Sequence, residues 1–174
     1  MEIETREIRF SEERLAEVRQ ILQRYPEGRQ KSALLPLLHI AQAEFDNWLS
    51  PDVMDYVAGL LDIEPIEVYE VASFYTMFNL RPVGKYVLEI CRTGPCCLVG
   101  AEKVQAHIEE KLGIKPGETT PDGMFTLKPV ECLAACGFGP VMQVGATYYE
   151  KLTPERTDEL LERFRNENKR ATYC

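Results

Sequence analysis

The sequence predicts an α+β chain, with a small helical bundle over residues 1–80 and an α/β domain over residues 81–174. Three observations predict it. Apolar residues recur at helical spacing from Leu15 to Ala72, and Pro and Gly interrupt that pattern at short intervals. After Arg81-Pro82-Val83-Gly84 the period shortens to the alternation of a strand. A chain of 174 residues with 45% apolar content is long enough for one sizeable domain or two small ones.

In the first half, residues 1–9 have no period and are expected to fray or to lie along a partner. Ser11 is placed to cap a helix whose first turn carries Glu12 and Glu13 at the positive end of the helix dipole. Leu15, Val18, Leu22 and Tyr25 form its stripe, and Pro26-Glu27-Gly28 ends it. The second helix is expected from Ser32 to Asn47, with Pro36 tolerated in the first turn. Its stripe of Leu34, Leu38, Ala41, Phe45 and Trp48, widened by Leu35, Leu37 and Ile40, makes it the most buried helix of this half. Ser50-Pro51-Asp52 starts a third helix with Val53, Val57, Leu60 and Leu61 inward. A fourth follows Pro65, with Ile66, Tyr69 and Ala72 inward, and fades near Tyr75.

In the second half, Lys85 to Cys91 alternates and is rich in β-formers, which puts Cys91 at the C-terminal end of a strand. That edge is where α/β sheets gather their ligand sites. A helix is expected from Leu98 to Leu112, with Ala101, Val104, Ile108 and Leu112 on one face and Gly113 as its stop. Residues 115–123 form a loop, and a strand from Met124 to Glu131 delivers Cys132. Val141–Val144 and Thr147–Glu150 read as a hairpin whose Gly145-Ala146 turn suits type II′. Thr153-Pro154-Glu155 opens a last helix with Leu160, Leu161 and Phe164 inward, and the polar tail 166–174 is expected to be mobile. The order is β-α-β-β-α.

Two cysteine pairs dominate this domain. Cys91 and Cys96 enclose four residues, and Cys132 and Cys136 enclose three. Four thiolates suit a [2Fe–2S] cluster or a structural zinc. Loops of small, turn-forming residues, Thr93-Gly94-Pro95 and Ala134-Ala135 with Gly137-Phe138-Gly139-Pro140, bring backbone N–H groups near the sulfurs and favour the cluster. Zinc ribbons more often use two C-x2-C knuckles, and a zinc-stabilised interaction module remains the alternative. No C-x-x-C pair is present, which removes a thiol oxidoreductase. Six cysteines also allow three disulfides, which the absence of a signal-like start argues against. Cys97 and Cys174 are left without a role. His39 and His107, the two histidines, read as packing residues, so nucleophilic or His–metal catalysis has little to work with. No catalytic acid, base or nucleophile stands out. No G-x-G-x-x-G or phosphate-binding loop offers a nucleotide or flavin site.

The net charge of −8 lies mostly in residues 1–84, at −7 against −1 for the remainder. It would repel nucleic acid, and it reads as a solvated acidic face or as a match for a basic partner. No run of 18 apolar residues exists, so no membrane insertion is expected. The acidic start points to a cytoplasmic protein, or to the mature form of an organellar one.

Several stretches are familiar together: Ser73-Phe74-Tyr75-Thr76-Met77-Phe78, Pro82-Val83-Gly84-Lys85-Tyr86, Gly117-Glu118-Thr119-Thr120-Pro121-Asp122-Gly123 and Val130-Glu131-Cys132-Leu133. With the cysteines, they resemble the thioredoxin-like [2Fe–2S] subunit of NADH:quinone oxidoreductase (respiratory complex I, the bacterial E-subunit or 24 kDa family). The resemblance runs from Tyr25 to Phe164. It implies a thioredoxin-like arrangement of the second domain and one [2Fe–2S] cluster on Cys91, Cys96, Cys132 and Cys136. It further implies a partner flavoprotein that binds FMN and NADH, in the peripheral arm of a membrane complex on its cytoplasmic or matrix face. Dehydrogenase activity would then belong to the assembly. Equivalent subunits of NAD-linked hydrogenases and formate dehydrogenases are the alternative hosts. In the family the second ligand is followed by a variable residue, Leu, another variable residue and often Gly. Cys96, followed by Cys97-Leu98-Val99-Gly100, fits that pattern better than Cys97. The aromatic run Phe74, Tyr75, Met77 and Phe78 is the expected contact with the flavoprotein.

Overall fold

A computed structural model describes residues 8–167, and the chain divides into two compact units between Pro82 and Val83. The first unit is helical. α1 (Glu12–Leu22) begins at Ser11, whose hydroxyl accepts from the Arg14 amide at 3.4 Å. α2 (Leu34–Glu44) follows a 3-10 turn at Gln30–Ala33, so Pro36 does sit in its first turn. The helix expected to run on to Asn47 stops at Glu44, because Asp46 and Asn47 take positive φ angles of 57° and 64°. Asp and Asn enter this left-handed region most readily among residues with a Cβ. α3 (Pro51–Leu61) has Ser50 accepting from the Val53 amide at 3.3 Å. α4 (Pro65–Phe74) carries a capping box between Glu64 and Glu67.

The core of this unit is set by Leu37, Leu38, Leu49, Val57 and Val68. Ile66, expected inward, is exposed; Ala72 is buried as expected, and Val68 joins it on the inner face of α4. Ile8 and Phe10 pack on the core, and the Phe10 ring stacks on Phe45 and meets Tyr56 edge-on. The fraying expected over residues 1–9 is therefore not seen at Ile8; residues 1–7 lie outside the described residues. Gln42 is buried on α2, and its side chain donates to the Met77 carbonyl at 3.0 Å and accepts from the Asn79 amide at 2.7 Å. These bonds tie the segment after α4 to α2. Within that segment Phe78 is buried beside His39, whereas Phe74, Tyr75 and Met77 are exposed. The expectation that all four face a partner is corrected for Phe78.

The second unit is built on a four-stranded sheet of order β2-β1-β3-β4. β1 (Tyr86–Cys91) pairs in parallel with β2 (Phe125–Val130) and antiparallel with β3 (Met142–Val144), which pairs with β4 (Thr147–Tyr149). As a central strand, β1 is buried at every position but Glu89, which faces Lys128 of β2 at 3.3 Å. Gly84 leads into it so closely that a Cβ there would fall 2.8 Å from the backbone of Phe125. Gly145 takes a φ of 60° at the first position of the β3–β4 turn, as a type II′ turn requires.

The single helix expected over 98–112 is two. α5 (Gly94–Leu98) ends at Val99, Gly100 follows with a φ of 103°, and α6 (Ala101–Leu112) begins there. Gly113 ends α6 in the left-handed conformation, as expected. α7 (Pro154–Glu167) takes in Asn166 and Glu167 of the tail expected to be mobile, and residues 168–174 lie outside the described residues. Tyr86, Leu88 and Ile90 share one face of β1 and form a single core with Val104 and Ile108 of α6 and with Leu160, Leu161 and Phe164 of α7. His107 joins these helices with its Nε2 2.8 Å from Asp158, beside Lys111 at 3.1 Å, so its role here is structural. Among the described residues, no helix is long and apolar enough to cross a membrane.

Candidate metal centre

The first cysteine pair stands where the sheet meets the short helix. β1 delivers Cys91 at its last position, and α5 returns Cys96 toward it; both are buried, at 3% and 2% exposure. Cys91 Sγ lies 3.3 Å from the Thr93 hydroxyl. Burial alone would push the Cys91 thiol up, but hydrogen bonds from the Thr93 side chain and from the Thr93 and Leu133 amides, with one from Cys96, bring it below the ordinary thiol value. Burial and then the adjacent Cys91 push Cys96 up to about 11, against a hydrogen bond from the Val141 amide. The donors around Cys91 thus favour its thiolate form, while Cys96 holds its proton more tightly.

The second pair lies in a surface loop between β2 and β3. Cys132 and Cys136 are both exposed. Ala134 takes a φ of 57°, and its N–H donates to Cys132 Sγ at 3.2 Å. A 3-10 turn over Cys136–Phe138 carries Cys136, close enough to Cys96 to act on that thiol. Leu133 connects the loops: its amide reaches Cys91, and its side chain packs against Cys91, Cys96 and Ala101.

The structure thus pairs Cys91 with Cys96 and sets Cys136 nearby, with Cys132 at the rim. Among the described residues, no three His, Cys, Asp or Glu side chains form a preformed metal cage. The helix start expected at Leu98 is corrected here: Cys96 and Cys97 are both already inside α5. Cys97 turns outward, and its Sγ donates to the Arg92 carbonyl at 3.2 Å. Gly139 closes over Cys96 from the second loop, where a Cβ would fall 3.4 Å from its sulfur and 2.9 Å from Val99. Glu131, beside Cys132, is exposed and paired with Arg92 at 3.1 Å, so its charge is countered. Cys174 lies outside the described residues.

Four thiols on two facing loops, with amides of Thr93, Leu133, Ala134 and Val141 aimed at three of the sulfurs, fit a group that binds thiolate and carries negative charge. The amide donors of Leu133 and Val141 were not foreseeable from the sequence, since no side chain marks a backbone N–H.

Residues 18–165 match the family of thioredoxin-like [2Fe–2S] ferredoxins. The chain belongs to that family. A curated relative, the E-subunit of the NADH-quinone oxidoreductase of Rickettsia bellii, is 43% identical over 158 residues, 91% of this chain and 95% of the relative. Flavoprotein 2 of the mitochondrial NADH dehydrogenase [ubiquinone] of Dictyostelium discoideum is 45% identical over 90% of this chain and 64% of that protein. Among solved structures, an NAD+-reducing [NiFe]-hydrogenase in the H2-reduced state superposes with a TM-score of 0.68 at 21% identity, over 78% of this chain and 22% of that chain. That likeness speaks to the fold. The α+β architecture and the resemblance drawn from the cysteine stretches both hold for this thioredoxin-like ferredoxin. The cofactor of its family is a [2Fe–2S] cluster.

Proposed function

We propose that this chain is the electron-transfer subunit of an NADH:quinone oxidoreductase, holding one [2Fe–2S] cluster on Cys91, Cys96, Cys132 and Cys136 beside an FMN- and NADH-binding subunit. The observation that carries it is the four-cysteine pattern on two facing loops, in a chain 43% identical to the Rickettsia bellii E-subunit over nearly its full length. The cluster, when bound, supplies reversible one-electron storage. The chain's own residues do the rest. Cys91 and Cys96 offer a buried pair in which hydrogen bonds favour the thiolate at Cys91, and Cys132 and Cys136 close from the surface loop. The amides of Thr93, Leu133, Ala134 and Val141 stabilise negative charge on sulfur. Cys97, turned to the Arg92 carbonyl, stays outside the ligand set.

NADH oxidation belongs to the assembly, and this chain contributes a redox centre to it. Its place is the peripheral arm, on the cytoplasmic face or on the matrix face in an organelle. Phe74, Tyr75 and Met77, exposed on the helical unit, are the surface offered to the flavoprotein. The test is anaerobic affinity purification of the full chain from its native membrane. A co-purifying FMN protein that lets NADH reduce the chain's [2Fe–2S] signal is expected, and Phe74→Ser with Tyr75→Ser should weaken its retention at least tenfold. Purification with a hydrogenase or formate dehydrogenase module, and no NADH-driven quinone reduction, would overturn the host assignment.

A further inference from the structure

We propose that Tyr148 is a positioning residue that raises the reduction potential of the cluster site through one peptide group, the Leu133–Ala134 amide. This rests on the reading above that Cys132 is a cluster ligand. The Tyr148 hydroxyl donates to the Leu133 carbonyl at 2.8 Å. The N–H on the other side of the same amide, that of Ala134, donates to Cys132 Sγ at 3.2 Å. The three groups make one continuous chain, O–H to C=O and then N–H to sulfur. A donor on a carbonyl oxygen draws electron density toward it and leaves the amide hydrogen more positive, so the second bond is strengthened by the first.

The fold supplies the leverage. Tyr148 lies on β4, which is tied through β3 to the central strand β1, whereas Cys132 lies in an exposed loop. Its neighbour Tyr149 meets Phe164 of α7 edge-on at 5.5 Å, on the core side. The strand alternation therefore sends one tyrosine to the core and leaves the next, 43% exposed, reaching the cysteine loop. Ala134 takes a left-handed backbone with φ of 57°, and a fixed carbonyl on its N-terminal side sets the plane of the amide that points at sulfur.

The sign follows from charge. A cluster held by four thiolates gains one negative charge when it takes one electron, so donors to sulfur favour the reduced form. Tyr148→Phe removes only the hydroxyl. Replacing Tyr148 by 3-fluorotyrosine keeps the shape and makes the hydroxyl a stronger donor. The experiment is a potentiometric titration of the full-length, cluster-loaded chain, followed by electron paramagnetic resonance. Tyr148→Phe should weaken reduction roughly threefold, about 28 mV at 59 mV per tenfold for one electron. The fluorotyrosine chain should shift the opposite way. If Tyr148→Phe fails to hold the cluster, the near-isosteric fluorotyrosine chain carries the test alone. Unchanged potentials, or shifts of the same sign in both, would overturn the proposal. Cys132→Ser, measured alongside, separates the two readings. Its signal should change, and an unaltered signal would overturn the ligand assignment, whereas an altered one with no Tyr148 effect would overturn Tyr148 alone.

Discussion

The two cysteine loops supply the same chemical group from opposite kinds of support. Cys91 and Cys96 belong to the core: one ends the central strand, the other lies in a short helix, and both are almost fully buried. Cys132 and Cys136 are exposed, carried by a turn with a left-handed Ala134 and a short 3-10 segment. The difference teaches a division of labour. The first loop is fixed by folding, as any buried pair would be. The second is held by a few hydrogen bonds, from Ala134 and Tyr148, and in the proposed reading by the cluster as well. A metal group bridging the two, as proposed, would complete the second loop more than the first.

The largest expected effect does not distinguish the loops, and it tests whether they act on one group. Cys132→Ala and Cys136→Ala should each erase the visible absorption of the anaerobically purified chain, as should Cys91→Ala. A full spectrum retained in any of them would mean that the loops do not share a cluster.

The helical unit serves as the outside reference. Leu38→Ala, at a fully buried position of α2, should lower the stability of that unit by about 2–5 kcal/mol in a denaturant titration. The cluster spectrum should stay as it was at low denaturant. A parallel loss of absorption would tie the helical core to the site and blur the contrast.

Chain without cluster separates the loops directly. There Cys91→Ala or Cys96→Ala should cost about 1–2 kcal/mol of unfolding free energy, through lost packing around β1 and α5. Cys132→Ala and Cys136→Ala should stay within about 0.5 kcal/mol of the parent, as exposed positions do. Equal costs for all four would break the comparison.

The smallest effect concerns pH and falls on the helical unit. Burial holds the His39 imidazole below its ordinary value. The unfolded chain then binds the proton more tightly, so this contribution is present above a pH of about 6.5 and is lost as pH falls through it toward the lowered folded value. His39→Phe should flatten the pH dependence of that unit's melting between pH 7 and 5. An unchanged slope would show that His39 does not carry it.

Much of this was legible in the residues. Ser11 and Ser50 mark the helix starts, Gly113 a helix end and Gly145 a hairpin turn, and each does in the structure what its side chain, or lack of one, favours. The period change after Arg81-Pro82-Val83-Gly84 falls where the chain divides. The misses have physical reasons. Periodicity ran through Asp46-Asn47 because the stripe continues to Trp48, although both residues tolerate the left-handed turn they take. It also ran through Val99-Gly100, since a glycine inside an apolar pattern is ambiguous until its φ is known. At the site, the sulfurs and the local loop amides were visible, but the amides of Leu133 and Val141 and the hydroxyl of Tyr148 depend on tertiary placement. Alternation across Thr147-Tyr148-Tyr149 does imply that the two tyrosines face opposite ways; it does not say what the outer one meets.

The most direct test of the account is the electron paramagnetic resonance of the reduced full chain, compared between Cys96→Ala and Cys97→Ala. In the proposed ligand set the buried, Gly139-covered Cys96 is the second ligand and Cys97 is turned to the Arg92 carbonyl, so Cys97→Ala should keep the parent [2Fe–2S] signal. Cys96→Ala should lose it, or show a weak, shifted signal if Cys97 swings in as substitute. An unaltered signal in Cys96→Ala with loss in Cys97→Ala would contradict the account.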